Sequence, residues 1–215
     1  MTIRKLLLLT LLAAPAAWAD DAAPLERGGR AEIWLNVTSW PALRDIEPAA
    51  GGRFDETGFG LGGGVWLTLR QFERSELLWG IDGFIAANES NVEGIFADLL
   101  ARQLNLGGSL KWVLGDERRN SLDAGLGYHL VDIAEVGDYG SGIEREVWET
   151  SRASAYVGFT WDLPSASLAS RGRWMLGLKA YLADFGTVYG PGPIGPDAGR
   201  LDGPLYTLQV GYGVR

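Results

Sequence analysis

Residues 151–163 read SRASAYVGFTWDL. Ala153, Ala155, Val157, Phe159, Trp161 and Leu163 share one parity; Arg152, Ser154, Tyr156, Gly158, Thr160 and Asp162 share the other. Successive side chains of a strand point to opposite faces, so this stretch is a strand with one apolar wall and one polar wall. Residues 204–215 repeat the pattern, with Tyr206, Leu208, Val210, Tyr212 and Val214 set against Thr207, Gln209, Gly211, Gly213 and Arg215. Residues 102–114 give Leu104, Leu106, Leu110, Trp112 and Leu114 against Gln103, Asn105, Gly107, Ser109 and Lys111. Working outward, the same period marks strands at 30–40, 57–70, 76–88, 121–134 and 173–186, eight in all. Each is long enough to cross a bilayer as a tilted strand, which takes about 9–11 residues.

Alternation alone also suits a soluble barrel with its apolar wall inside. The aromatic residues separate the two. If the first strand rises from the periplasm, Trp79 and Trp174 begin ascending strands, while Trp112, Trp161 and Tyr212 end descending ones. All five are on the apolar parity and at one level, with Phe59 and Tyr206 near the opposite rim. A soluble core gives no reason for that row. A membrane does, because amphipathic rings collect in the headgroup zone as an aromatic girdle. The connections 71–75, 115–120 and 164–172 are short, and 41–56, 89–101, 135–150 and 187–203 are longer. Short turns on the periplasmic side and long loops outside are the usual asymmetry of such barrels. An even strand count closes the sheet without an exposed edge.

The N-terminus is consistent with export. Arg4 and Lys5 precede the apolar run Leu6–Ala14, and Ala17-Trp18-Ala19 forms a small-x-small cleavage site. The run is too short to span as a helix. Residues 1–19 are therefore expected to be a cleaved signal peptide, with the barrel over 20–215. The formal charge of −8 becomes −10 once Arg4 and Lys5 are lost, which does not suit a nucleic-acid partner. With no cysteine, disulfides, thiolate catalysis and Cys-ligated metals are excluded. Glycine (31) and tryptophan (9) are abundant, as a barrel with small residues inside and anchors outside requires.

This pattern resembles the small eight-stranded outer-membrane barrels, the class that includes the opacity and attachment-invasion type proteins. The resemblance covers nearly all of 20–215 and implies an all-β, eight-stranded antiparallel up-and-down barrel, exported through the periplasm to the cell outer membrane. It is specific for architecture and weak for activity; the first expectation for the role is structural or surface-interaction, with no enzymatic activity or cofactor assigned. It also implies outer-membrane lipid and lipopolysaccharide as surroundings and the barrel-assembly machinery as a partner. In that class the last strand usually ends in an aromatic residue; here it ends Tyr212-Gly213-Val214-Arg215. Because the chain stops at its eighth strand, the peptidoglycan-binding domain of larger members is not expected.

The inward parity carries acids Glu32, Asp82, Asp123 and Asp162 and bases Arg70, Lys111, Arg152, Lys179 and Arg215, together with Trp34, Trp66, Tyr156 and Tyr181. Eight strands leave an interior about wide enough for side chains to fill it. The leading expectation is a barrel plugged by paired charges, with Gly58, Gly60, Gly62 and Gly64 making room for Trp34 and Trp66. Two alternatives stand beside it: a small-solute pocket or conduit near the outer rim, and an open pore. His129, the single histidine, points inward in the outer half and is expected to join the polar network. Some eight-stranded outer-membrane enzymes modify lipid A with a rim histidine, and the deacylase pattern places a serine two residues on. Here that position is Val131. Ser141 or Ser151 would have to serve as nucleophile, with Glu135 or Glu144 orienting the ring. No catalytic or metal site is therefore assigned. The loops are acidic: Glu135, Asp138, Glu144, Glu146 and Glu149 face Arg145 alone, and weak Ca²⁺ or Mg²⁺ contacts suit such oxygen-rich segments.

Overall fold

The computed structural model describes residues 28–46, 54–92, 97–115, 117–138, 143–163, 172–189 and 197–214. Within these, side chains are described except at 90–92, 97–99, 135–138, 143–149, 183, 187–189 and 197–199. The segments expected as signal peptide, the Tyr139–Gly142 turn, the 190–196 loop and Arg215 lie outside the described residues.

Eight strands follow one another around a closed antiparallel barrel. They are β1 (Gly29–Ser39), β2 (Thr57–Gln71), β3 (Ser75–Val92), β4 (Ala97–Leu114), β5 (Asn120–Asp138), β6 (Ile143–Asp162), β7 (Gly172–Tyr189) and β8 (Asp197–Val214). The barrel begins and ends at the same end, here the lower rim, and β1 closes on β8 from Ala31↔Val214 to Ser39↔Tyr206. Strands β3 to β8 run further past the upper rim than the alternation indicates. The tight β4–β5 turn at the lower rim needs left-handed backbone at Gly115 (φ 82°), which glycine adopts without a Cβ clash.

The register sets the tilt. A walk across directly paired residues leaves β4 at Trp112 and passes Leu122, Phe159, Leu178, Leu208, Val37, Phe59 and Ala87. It returns to β4 at Arg102, a stagger of ten residues (112 to 102). Eight strands with a stagger of this size lean at roughly 35–45° to the barrel axis.

Every residue of that walk is on the outward parity, and the outward positions it encloses are apolar or small. Leu35, Leu61, Leu106, Leu126, Val157 and Leu182 are between 46% and 68% exposed. Between the level of Trp112 and that of Arg102, the outward positions among the described residues carry no charge; Arg70 lies below the aromatic level, and the exposed Asp184 of β7 stands at the upper edge. Ten residues at about 3.3 Å each on strands tilted this far make a belt about 25 Å tall, the height of an outer-membrane barrel's apolar band. Corrected for the slope of the walk, Trp79, Trp112, Trp161, Trp174 and Tyr212 lie within about one residue's rise of a common level at the belt's lower edge. Trp174 and Tyr212 touch edge to face, ring centroids 5.7 Å apart.

The stretch 41–56, expected to face outward as a loop, instead turns into the upper mouth where it is described. Trp40 donates its backbone N–H to the Glu56 carbonyl (2.8 Å), and Pro41–Asp45 form a short 3-10 helix packed on β8. Trp40, Leu43, Ile46 and Phe54 are buried there. Apolar side chains of this size gain more inside the mouth than in water.

Candidate functional site in the barrel interior

The interior has two storeys. In the lower one, charged pairs cross the lumen. Arg30 of β1 holds Asp162 of β6 (Nη1 to Oδ2, 2.8 Å) and also contacts its neighbour Glu32. Lys111 of β4 donates to both Glu32 oxygens on β1 at 2.7 Å and lies 3.6 Å from Asp123. Lys179 of β7 pairs with Asp82 of β3. None of these strand pairs, β1–β6, β4–β1 or β7–β3, is adjacent in the barrel, so each pair is a strut across it. Asp82 also accepts from Tyr156 and from Ser109 (3.0 Å), and the Trp66 indole N–H donates to Ser109 (2.8 Å). The Lys111 ammonium sits 4.0 Å from the Trp66 ring centroid, and Lys179 5.1 Å from that of Trp34. A buried ion is tolerated only when paired and hydrogen-bonded, and these are both.

The glycine positions of β2 make this packing possible. A Cβ at Gly62 would overlap the Trp34 indole nitrogen, and one at Gly64 would overlap the Trp66 ring. The sequence places Glu32, Asp82, Lys111, Asp123, Asp162 and Lys179 together, and the structure brings all six into the lower storey.

Two bases of the expected network are elsewhere. Arg70 is exposed, because a bulge between Thr68 and Arg70 shifts β2 by one residue and reverses its parity; its guanidinium lies 5.2 Å from the Phe72 ring. Arg152 is exposed as well. Pairing of β6 with β7 stops at Ala155↔Leu182, while β5–β6 pairing continues to Asp138↔Ile143, so Arg152 rides on a hairpin above the closed wall. Arg30 supplies the missing cation. It stands two residues before Glu32, so the same parity that finds Glu32 finds Arg30.

The upper storey is aromatic. His129 is fully buried and was expected in the polar network, yet neither ring nitrogen has a hydrogen-bond partner among the described residues. Phe84, Tyr181 and Phe185 meet it edge to face at 6.1, 5.2 and 5.8 Å between centroids. Trp40 closes the cluster from above, 5.1 Å from Phe185. Ser151, one candidate nucleophile, has its hydroxyl 2.7 Å from that of Tyr128 on the outward face. Ser141 lies outside the described residues, as do the side chains of Glu135 and Glu144. The geometry thus gives His129 a packing role. Replacing it with phenylalanine removes two unpartnered buried nitrogens at similar shape, and is expected to leave stability unchanged or raise it by about 1 kcal/mol. Urea titration of the variant in phospholipid vesicles checks this; a loss above that size would mean the imidazole is bonded after all.

No protein-family model matches this chain, and no curated protein matches it. Solved structures resemble it at low identity. The attachment invasion locus protein Ail of Yersinia pestis, solved with the heparin analogue sucrose octasulfate, is 12% identical with a TM-score of 0.49, covering 86% of this chain and 97% of that one. Neisserial surface protein A is 9% identical with a TM-score of 0.41, covering 86% and 96%. The outer membrane protein OprG of Pseudomonas aeruginosa is 12% identical with a TM-score of 0.44, covering 88% and 97%. At such identities and superpositions they carry no argument about activity, which has to come from the chain's own residues.

Proposed function

We infer that the chain is a bacterial outer-membrane β-barrel with a structural or surface-interaction role, and that its interior is packed shut. The charge-free belt about 25 Å tall supports the membrane setting, since only a closed sheet or a helix satisfies its backbone in hydrocarbon. The strut set Arg30–Asp162, Lys111–Glu32 and Lys179–Asp82 is the single observation that carries the closed interior. Functional contacts then belong to the outward wall and to the acidic segments above the upper rim.

Planar-bilayer recording tests this reading. The purified full chain is expected to give no stable unitary conductance, with His129→Ala indistinguishable from wild type. Regular open-channel steps in the wild type would establish the conduit alternative instead. That alternative draws some support from the interior Asn36, Asn105 and Gln209 side chains, which hold buried polar atoms with no hydrogen-bond partner among the described residues. Such atoms call for ordered water in the interior.

A further inference from the structure

At the lower rim, the β2–β3 turn stands beside a recess of about 450 Å³. Phe72 and Trp112 are its aromatic walls, and Glu73, Arg74 and Ser75 complete its lining. The Phe72 N–H closes the turn by donating to the Ser75 carbonyl (2.8 Å). The bulge between Thr68 and Arg70 aims Arg70 at this same wall. Arg70 is directly across from Leu77, and Leu77 directly across from Trp112, so the three form one outward row. Among the described residues of the eight strands, Arg70 is the only charge on the outward face below the aromatic level. It is exposed, and its guanidinium lies 5.2 Å from the Phe72 ring centroid. None of the ion pairs among the described residues includes it.

Depth decides what this cation meets. Leu77 is two residues below Trp79, a drop of about 5 Å on strands tilted this far. The polar zone on each side of the hydrocarbon is about 5–7 Å thick, so Arg70 sits at the depth of the phosphates. The short turns put this rim on the periplasmic side, where glycerophospholipid rather than lipopolysaccharide forms the leaflet. A guanidinium steadied against an aromatic ring keeps its planar fork of N–H donors for a phosphodiester. Nearer the membrane centre, Leu67, Trp79 and Leu110 form the next outward row, apolar throughout. Arg70, Arg74 and Glu73 together leave a single net positive charge, which matches one phosphodiester on an otherwise uncharged headgroup.

We propose that this recess holds the headgroup of a singly anionic glycerophospholipid of the periplasmic leaflet, with its phosphate on Arg70, its headgroup between Phe72 and Trp112, and its acyl chains along Leu67, Trp79 and Leu110. The proposal rests on the membrane reading above.

Native mass spectrometry of the full chain, folded in detergent micelles and offered phosphatidylglycerol, phosphatidylethanolamine or diacylglycerol in turn, tests it. Wild type is expected to retain phosphatidylglycerol about threefold better than phosphatidylethanolamine, and about tenfold better than diacylglycerol, which lacks the phosphate. Arg70→Gln should lower phosphatidylglycerol retention about tenfold. Arg102→Gln, which removes an exposed cation at the opposite edge of the belt, should leave it unchanged. Retention of phosphatidylethanolamine or diacylglycerol equal to that of phosphatidylglycerol, no effect of Arg70→Gln, or an equal loss with Arg102→Gln would each overturn the site. Heat-modified gel mobility verifies that each variant is folded. Failure of the wild-type chain to insert into vesicles would count against the membrane reading itself, an outcome separate from lipid choice.

Discussion

Lys179→Met is expected to cost about 3–5 kcal/mol of folding stability, because it leaves the Asp82 carboxylate buried without its cation. Asp82 is 2% exposed and Lys179 2%, so water cannot replace the lost partner. Tyr156 and Ser109 would still donate to Asp82, but neutral hydrogen bonds do not offset an uncompensated buried charge. The double variant Asp82→Asn with Lys179→Met removes both charges and is expected to recover most of the loss. Urea titrations of the three proteins in phospholipid vesicles measure the coupling. Equal destabilisation by the single and double variants would mean that the pair acts through shape alone, and that the strut is not electrostatic.

The second large effect is on the outer wall. Arginine at Val157 or Leu106, both near the middle of the belt, is expected to cost about 2–4 kcal/mol. These positions are 61% and 63% exposed, and in a soluble protein such surface changes would be nearly free. Thr57→Arg, exposed at the upper edge of the same wall, should cost no more than about 1 kcal/mol, since the penalty for a cation falls toward the interface. A flat cost along the wall would contradict the membrane assignment.

The outline of this barrel is legible from its sequence because period-two alternation is a local signal. Residues such as Val157 and Tyr156 announce their faces through their immediate neighbours. The row of Trp79, Trp112, Trp161, Trp174 and Tyr212 is legible for the same reason once strand direction is assigned. What escapes is whatever depends on distant partners. The bulge that turns Arg70 outward is an insertion of one residue in β2 relative to β3, invisible in either strand alone. Arg152 is lost from the interior because β6 and β7 part company above Ala155, which only their mutual pairing reveals. The parity of His129 is readable, but its neighbours Phe84, Tyr181 and Phe185 come from β3 and β7. The inward turn of 41–56 had a signal in Trp40, Leu43, Ile46 and Phe54, four large apolar residues in and beside a stretch otherwise suited to a surface loop.

The central claim is that one continuous outward wall, ten residues tall along β4 from Trp112 to Arg102, lies in lipid. Nitroxide labels placed singly at Leu110, Leu106, Leu104 and Arg102 in vesicle-inserted protein test it most directly. Oxygen accessibility is predicted to peak at Leu106 and fall toward both ends, and a water-soluble relaxation agent should reach only the label at Arg102. Access of that agent to the labels at Leu104, Leu106 and Leu110, with no oxygen maximum, would contradict the account.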